Sequence, residues 1–120
     1  MDARILLVDD DPLLREVIGE FLVLNSYKVD MAEDADHALA KFQPGLYNLA
    51  LIDLVLPGMN GLELMQRLLN LDSQLFCLIM TGYPTIDSAY KAMVEGASDY
   101  IIKPFQLSEL LAAIKQNLET

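Results

Sequence analysis

The chain has 120 residues, 53% of them hydrophobic, which suits one domain with a real core and excludes a disordered tail. Its 8 basic and 18 acidic residues give a net charge of -10, so the sequence offers no basic face to neutralise nucleic-acid phosphates. No apolar run approaches the roughly 18–20 residues of a membrane span, and the start MDARILLVDDD lacks the basic region of a signal peptide, so a cytoplasmic protein with no membrane partner is expected.

Arg4–Val8 is a short apolar run that ends in Asp9-Asp10-Asp11-Pro12. It reads as a buried strand followed by a helix start, with Asp11 as N-cap and Pro12 in the first turn. The helix carries Leu14, Val17, Ile18, Phe21 and Leu22 at i, i+3, i+4, i+7, i+8 and should fade near Asn25-Ser26. Tyr27–Met31 alternates apolar with charged residues, as an edge strand does. Asp34–Gln43 repeats a helical stripe through Ala35, Ala38, Leu39 and Phe42, and Pro44-Gly45 ends it.

Leu49–Ile52 is a strand apolar on both faces that stops at Asp53, before a loop containing Pro57, Gly58 and Asn60-Gly61. Gly61–Leu71 forms a third helix with Leu62, Met65, Leu68 and Leu69 inward. Leu75–Met80 is a fourth strand ending in Thr81-Gly82. Pro84–Glu95 is a fourth helix, with Ile86, Ala89, Tyr90 and Met93 on one face and Gly96 placed to cap its end. Tyr100–Ile102 is a short fifth strand before Lys103-Pro104, and Gln106–Leu118 is the last helix. Cys77, the single cysteine, sits in an apolar run and reads as a buried reduced thiol. His37 reads as a solvated surface histidine with no second ligand at metal spacing.

Strict alternation of strand and helix implies parallel pairing with right-handed crossovers, hence a three-layer α/β sandwich over residues 1–120 as a single domain. The edge character of the second strand favours the order 2-1-3-4-5, the flavodoxin-like arrangement. Parallel strands then carry Asp9 and Asp10, Asp53, Thr81 and Lys103 to the same sheet edge, where ligands of such folds bind. Two carboxylates about 5 Å apart repel by roughly 3 kcal/mol at an effective dielectric near 20. Lys103 offsets part of this, and a divalent cation would offset the rest. Oxygen ligands suit Mg²⁺ or Mn²⁺ rather than Zn²⁺. A carboxylate beside such an ion, an ammonium and a hydroxyl is equipped to accept a phosphoryl group, a carboxylate oxygen attacking phosphorus in line.

The segments LLVDDDP, LALIDLVLPGMNGLEL, LIMTGY and GASDYIIKPF together resemble the receiver domain of response regulators in two-component signalling, along essentially the whole chain. The resemblance implies Asp53 as the phosphoacceptor, served by a phosphohistidine on a sensor histidine kinase or phosphotransfer protein. It implies that Asp10 binds Mg²⁺ directly, that Asp9 helps hold it, and that the Val55 backbone carbonyl is a further ligand. Thr81 and Lys103 would each take a phosphoryl oxygen, the Lys103-Pro104 peptide would be cis, and Tyr100 would be a switch aromatic that follows Thr81. Output would be read on the fourth helix, fifth strand and fifth helix, with homodimerisation there motivated in part by small residues such as Ala92 and Ala113. Val55 cannot orient an attacking water and Tyr83 is bulky, so slow loss of the phosphoryl group is expected.

Three rivals share parts of this pattern. An aspartyl-phosphate phosphatase usually needs an acid two residues after the nucleophile, where this chain has Val55. A flavin module needs a phosphate-binding Ser/Thr/Gly-rich loop after the first strand, where this chain has DDDP. A silent interaction domain would have lost site residues that are all present here.

Overall fold

The computed structural model describes residues 3–119. Its elements run β1 (Arg4–Val8), α1 (Pro12–Leu24), β2 (Lys28–Ala32), α2 (Ala35–Lys41), β3 (Leu49–Asp53), α3 (Gly61–Leu71), β4 (Phe76–Thr81), α4 (Ile86–Val94), β5 (Asp99–Ile102) and α5 (Leu107–Leu118). The five strands are all parallel, in the order β2-β1-β3-β4-β5. The three central strands are buried on both faces, which is why their sequences are nearly unbroken apolar runs.

Alternation along the strands divides the core in two. Ile5, Leu7, Leu49, Leu51, Leu78 and Met80 point to one face and meet Ile18 and Leu22 of α1 and Leu110 and Ile114 of α5. Leu6, Val8, Ala50, Ile52, Cys77 and Ile79 point to the other, under α2, α3 and Ala92 of α4. Cys77 is buried, and its thiol pKa is pushed up to about 12 by burial. It is therefore a packing residue without thiolate character.

Helix starts follow the local chemistry. Asp11 accepts from the N–H groups of Leu13 and Leu14, Asp34 from His37 and Asn60 from Glu63. The fourth helix begins two residues later than Pro84, because Thr85 and Ser88 cap each other across its first turn.

The large apolar side chains of α4 face outward: Ile86 is 90% exposed and Tyr90 71%, and Met93 is exposed as well. The helix instead lies on the sheet through Ala92, fully buried, flanked by the half-buried Ser88 and Ala89. Small side chains let the backbone approach closely, and periodicity alone does not say which of two apolar stripes the chain itself covers. Ala92 consequently belongs to the core and not to any outer docking face, and Ala113 packs against the α1/α5 core. Val17 of α1 is also more exposed than its place in the stripe implies.

His37 is corrected in one respect. It is half-exposed, but its Nδ1 lies 2.9 Å from Asp34 and 3.4 Å from Glu33, so acids do stand at ligand spacing. Asp34 is there because capping the helix turns its carboxylate towards the first turn.

Candidate phosphoacceptor and metal site

Register sets the site. Val8 pairs with Ile52, so Asp9 and Asp53 come next, level with each other. Asp53 pairs with Met80, which puts Thr81 one step further along. Thr81 pairs with Ile102, which puts Lys103 one step beyond that. Four strand ends thus climb stepwise around one hollow at the carboxyl edge of the sheet. Backbone bonds fix the rim: Leu54 N–H donates to the Met80 carbonyl at 2.8 Å and Lys103 N–H to that of Thr81 at 2.7 Å.

The side chains meet. Lys103 Nζ lies 2.8 Å from Asp9 Oδ2 and 2.9 Å from Asp53 Oδ2. Asp9 is fully buried and Asp53 nearly so, whereas Asp10 is exposed and leaves one side of the cluster open. Carboxylate oxygens of Asp9, Asp10 and Asp53 all lie within 4.8 Å of one another. Asp53 Oδ1 accepts from Val55 N–H at 3.0 Å, and Asp9 Oδ1 accepts from Asp11 N–H at 2.9 Å. Thr81 is fully buried, its Oγ1 accepting from Tyr83 N–H at 3.0 Å. The Lys103-Pro104 peptide is cis.

The electrostatics are those of a crowded anionic pocket with one cation. Burial raises the pKa of Asp53, with Asp9 adding to the rise and the Lys103 and Val55 hydrogen bonds opposing it. Lys103 is pulled down by burial but held above its ordinary value by Asp9 and Asp53. A hard divalent cation fits: the donors are all oxygens, three carboxylates already converge, and one side is open to water.

Two further contacts have no signature in the sequence. Arg15 reaches back from α1 to donate to the Asp9 backbone carbonyl at 2.7 Å, which pins the loop that carries the acids. The Tyr100 hydroxyl lies 2.7 Å from Ser88 Oγ on α4. Both depend on side chains reaching between elements, and spacing along the chain does not encode that. Beside Lys103, an open groove of about 550 Å³ is lined by Leu14, Val17, Tyr83, Phe105 and Leu107 among others.

Comparison with known proteins agrees with this geometry. Residues 5–115 match the response regulator receiver domain family. The response regulator protein FleR of Pseudomonas aeruginosa is 34% identical over 117 residues, covering 98% of this chain and 25% of FleR. A CheY-like response regulator receiver domain protein from Methanospirillum hungatei superposes with a TM-score of 0.94 at 34% identity, covering 99% of this chain and 95% of that one. A Burkholderia pseudomallei response regulator whose structure contains a phosphorylated aspartic acid and a calcium ion superposes at 0.86 with 30% identity, covering 98% of this chain and 69% of its own. The chain spans between 25% and 51% of the length of the first curated relatives it matches. With its sheet order, its acidic rim and these matches taken together, this chain belongs to the response regulator receiver domain family of two-component systems.

Proposed function

We propose that this chain accepts a phosphoryl group on Asp53 in a Mg²⁺-dependent reaction and changes the conformation of its output face in response. The observation that carries this reading is Lys103 Nζ bridging Asp9 and Asp53 at 2.8 and 2.9 Å, beside an exposed Asp10. Asp9, Asp10, Asp53 and the Val55 carbonyl would hold Mg²⁺ (Mn²⁺ is the alternative), which when bound neutralises charge on the phosphoryl oxygens. A carboxylate oxygen of Asp53 attacks phosphorus. The new O–P bond forms as the P–N bond to the donor histidine breaks, and the electron pair leaves with the imidazole nitrogen. Lys103, already within bonding distance of Asp53, swings its ammonium to a phosphoryl oxygen. Thr81 accepts from Tyr83 N–H, which leaves its own proton to donate to a second oxygen. Tyr100 then follows Thr81 on the same face of the sheet.

The donor is a phosphohistidine on a sensor histidine kinase or phosphotransfer protein in the cytoplasm. The apolar groove beside Lys103 supports that reading, since Lys103 both lines it and bonds Asp53, and a helix of the donor would seat there. The chain is a signalling domain with at most slow loss of its own phosphoryl group. Val55 and Tyr83 are both exposed beside the site, and neither is suited to orient a water for attack on phosphorus. Val55→Asn should shorten the half-life of the phosphorylated form by more than about twofold, measured as decay of the phosphorylated mass. The direct test of the proposal is incubation with acetyl phosphate and Mg²⁺. A gain of one phosphoryl mass that Asp53→Ala abolishes supports it; no gain, or an equal gain in Asp53→Ala, refutes it.

A further inference from the structure

Ser88 stands in the first turn of α4 with every hydrogen-bonding position of its hydroxyl taken. Its N–H donates to Thr85 Oγ1 at 2.9 Å, and Thr85 N–H donates back to Ser88 Oγ at 3.2 Å. The Thr85 carbonyl lies 3.1 Å from the same Oγ, placed to accept its proton. A serine hydroxyl has one proton and two lone pairs. With the proton on the Thr85 carbonyl and one lone pair on Thr85 N–H, the other lone pair is left for Tyr100, 2.7 Å away, which is therefore the donor.

Tyr100 sits opposite Ile79 on β4 and packs against the core on that face. Thr81 lies two residues beyond Ile79, so its side chain emerges on the same face, the one that α4 covers. Any movement of the Tyr100 ring towards Thr81 must therefore first take its hydroxyl away from the α4 cap. We infer that the Ser88–Tyr100 hydrogen bond is a latch holding the unphosphorylated arrangement of α4 and β5, and that it breaks when Thr81 engages the phosphoryl group. This rests on the phosphoacceptor reading of Asp53. It assigns Ser88 a regulatory part beyond ordinary capping: releasing Tyr100 removes one bond from the first turn of α4, so the signal reaches the helix at its amino end.

A latch that stabilises only the resting state lowers the apparent affinity for anything that binds the active one. The test titrates the whole chain with beryllofluoride and Mg²⁺ by calorimetry, in the wild type, Ser88→Ala, Tyr100→Phe and the double variant. Tyr100→Phe removes the donor and leaves the cap intact; Ser88→Ala removes the acceptor and the Thr85 N–H bond to it, and keeps the backbone N–H of residue 88 on Thr85 Oγ1. Each single variant should bind about three- to tenfold more tightly, the range one modest hydrogen bond allows, and the double variant no more tightly than Tyr100→Phe. Unchanged or weaker binding by Tyr100→Phe, or gains that multiply in the double variant, would overturn the latch while the phosphoacceptor reading stands. A wild type that binds no beryllofluoride at all would overturn that reading and the latch with it.

Discussion

Gly61, the first residue of α3, acts on the site through the side chain it lacks. A Cβ there would lie 2.3 Å from the Asp53 carbonyl oxygen and 2.9 Å from Leu54 Cα, both backbone atoms that cannot swing aside. Its N–H also closes the loop onto the Leu54 carbonyl at 2.7 Å. Gly61→Ala should therefore destabilise by more than about 2 kcal/mol, read by urea denaturation, and weaken Mg²⁺ binding because the backbone beneath Asp53 must move. Asp53 itself should behave in the opposite way. Its raised pKa, caused first by burial, means that folding favours its protonated form. That contribution is full below the unfolded value of about 3.9 and is lost as pH rises through the folded value, so at neutral pH the carboxylate works against the fold. Lys103 keeps Asp9 as a partner when Asp53 is neutralised. Asp53→Asn should accordingly raise the melting temperature without Mg²⁺ by about 2–6 °C at pH 7, with the gap closing towards pH 4. A variant that melts lower at pH 7 would show that the Lys103 pair outweighs burial.

At the scale of elements, what the sequence made legible was whatever the backbone alone determines. Five alternating strands and helices, the edge position of β2 and the meeting of Asp9, Asp53, Thr81 and Lys103 all follow from period and topology. The orientation of α4 did not, because Ile86, Tyr90 and Met93 form as good a stripe as Ser88, Ala89 and Ala92, and only packing decides between them. The pairings of Arg15 with Asp9 and of Tyr100 with Ser88 stayed hidden for a related reason: they join side chains from different elements. The outward stripe has a consequence. Together with the exposed Ile102 it makes an apolar patch on the α4 and β5 face, and exposed apolar patches of this kind mark contact surfaces. Homodimerisation through this face on phosphorylation should appear in sedimentation velocity as a dimer with beryllofluoride present and a monomer without it. Ile86→Lys should suppress that dimer while changing folding stability by less than about 0.5 kcal/mol, since the side chain is almost fully exposed. An unchanged monomer in both conditions counts against the dimer.

The whole molecule carries a net charge of -10, and its acidic rim adds local repulsion to that general one. Any divalent cation relieves general repulsion slightly by screening, but a resident ion should do so saturably and through named residues. At ten times its dissociation constant Mg²⁺ should stabilise the fold by about 1.4 kcal/mol, measured as thermal unfolding against NaCl of matched ionic strength. Asp10→Asn should remove most of that gain, because Asp10 is the exposed acid on the open side of the cluster. An equal gain in wild type and Asp10→Asn would mean that the ion acts from the surface at large. No helix of the described residues is long and apolar enough to cross a membrane. The fold sets one carboxylate, that of Asp53 at the end of the central strand, 2.9 Å from Lys103 Nζ.

Chemical trapping tests that arrangement most directly. After treatment with acetyl phosphate and Mg²⁺, borohydride reduces an acyl phosphate on aspartate to homoserine, and peptide mass spectrometry then locates the changed residue. Homoserine at position 53 alone is the expected result. Homoserine at Asp9 or Asp10, or none anywhere in a protein that has gained the phosphoryl mass, would contradict the assignment of Asp53 as the acceptor.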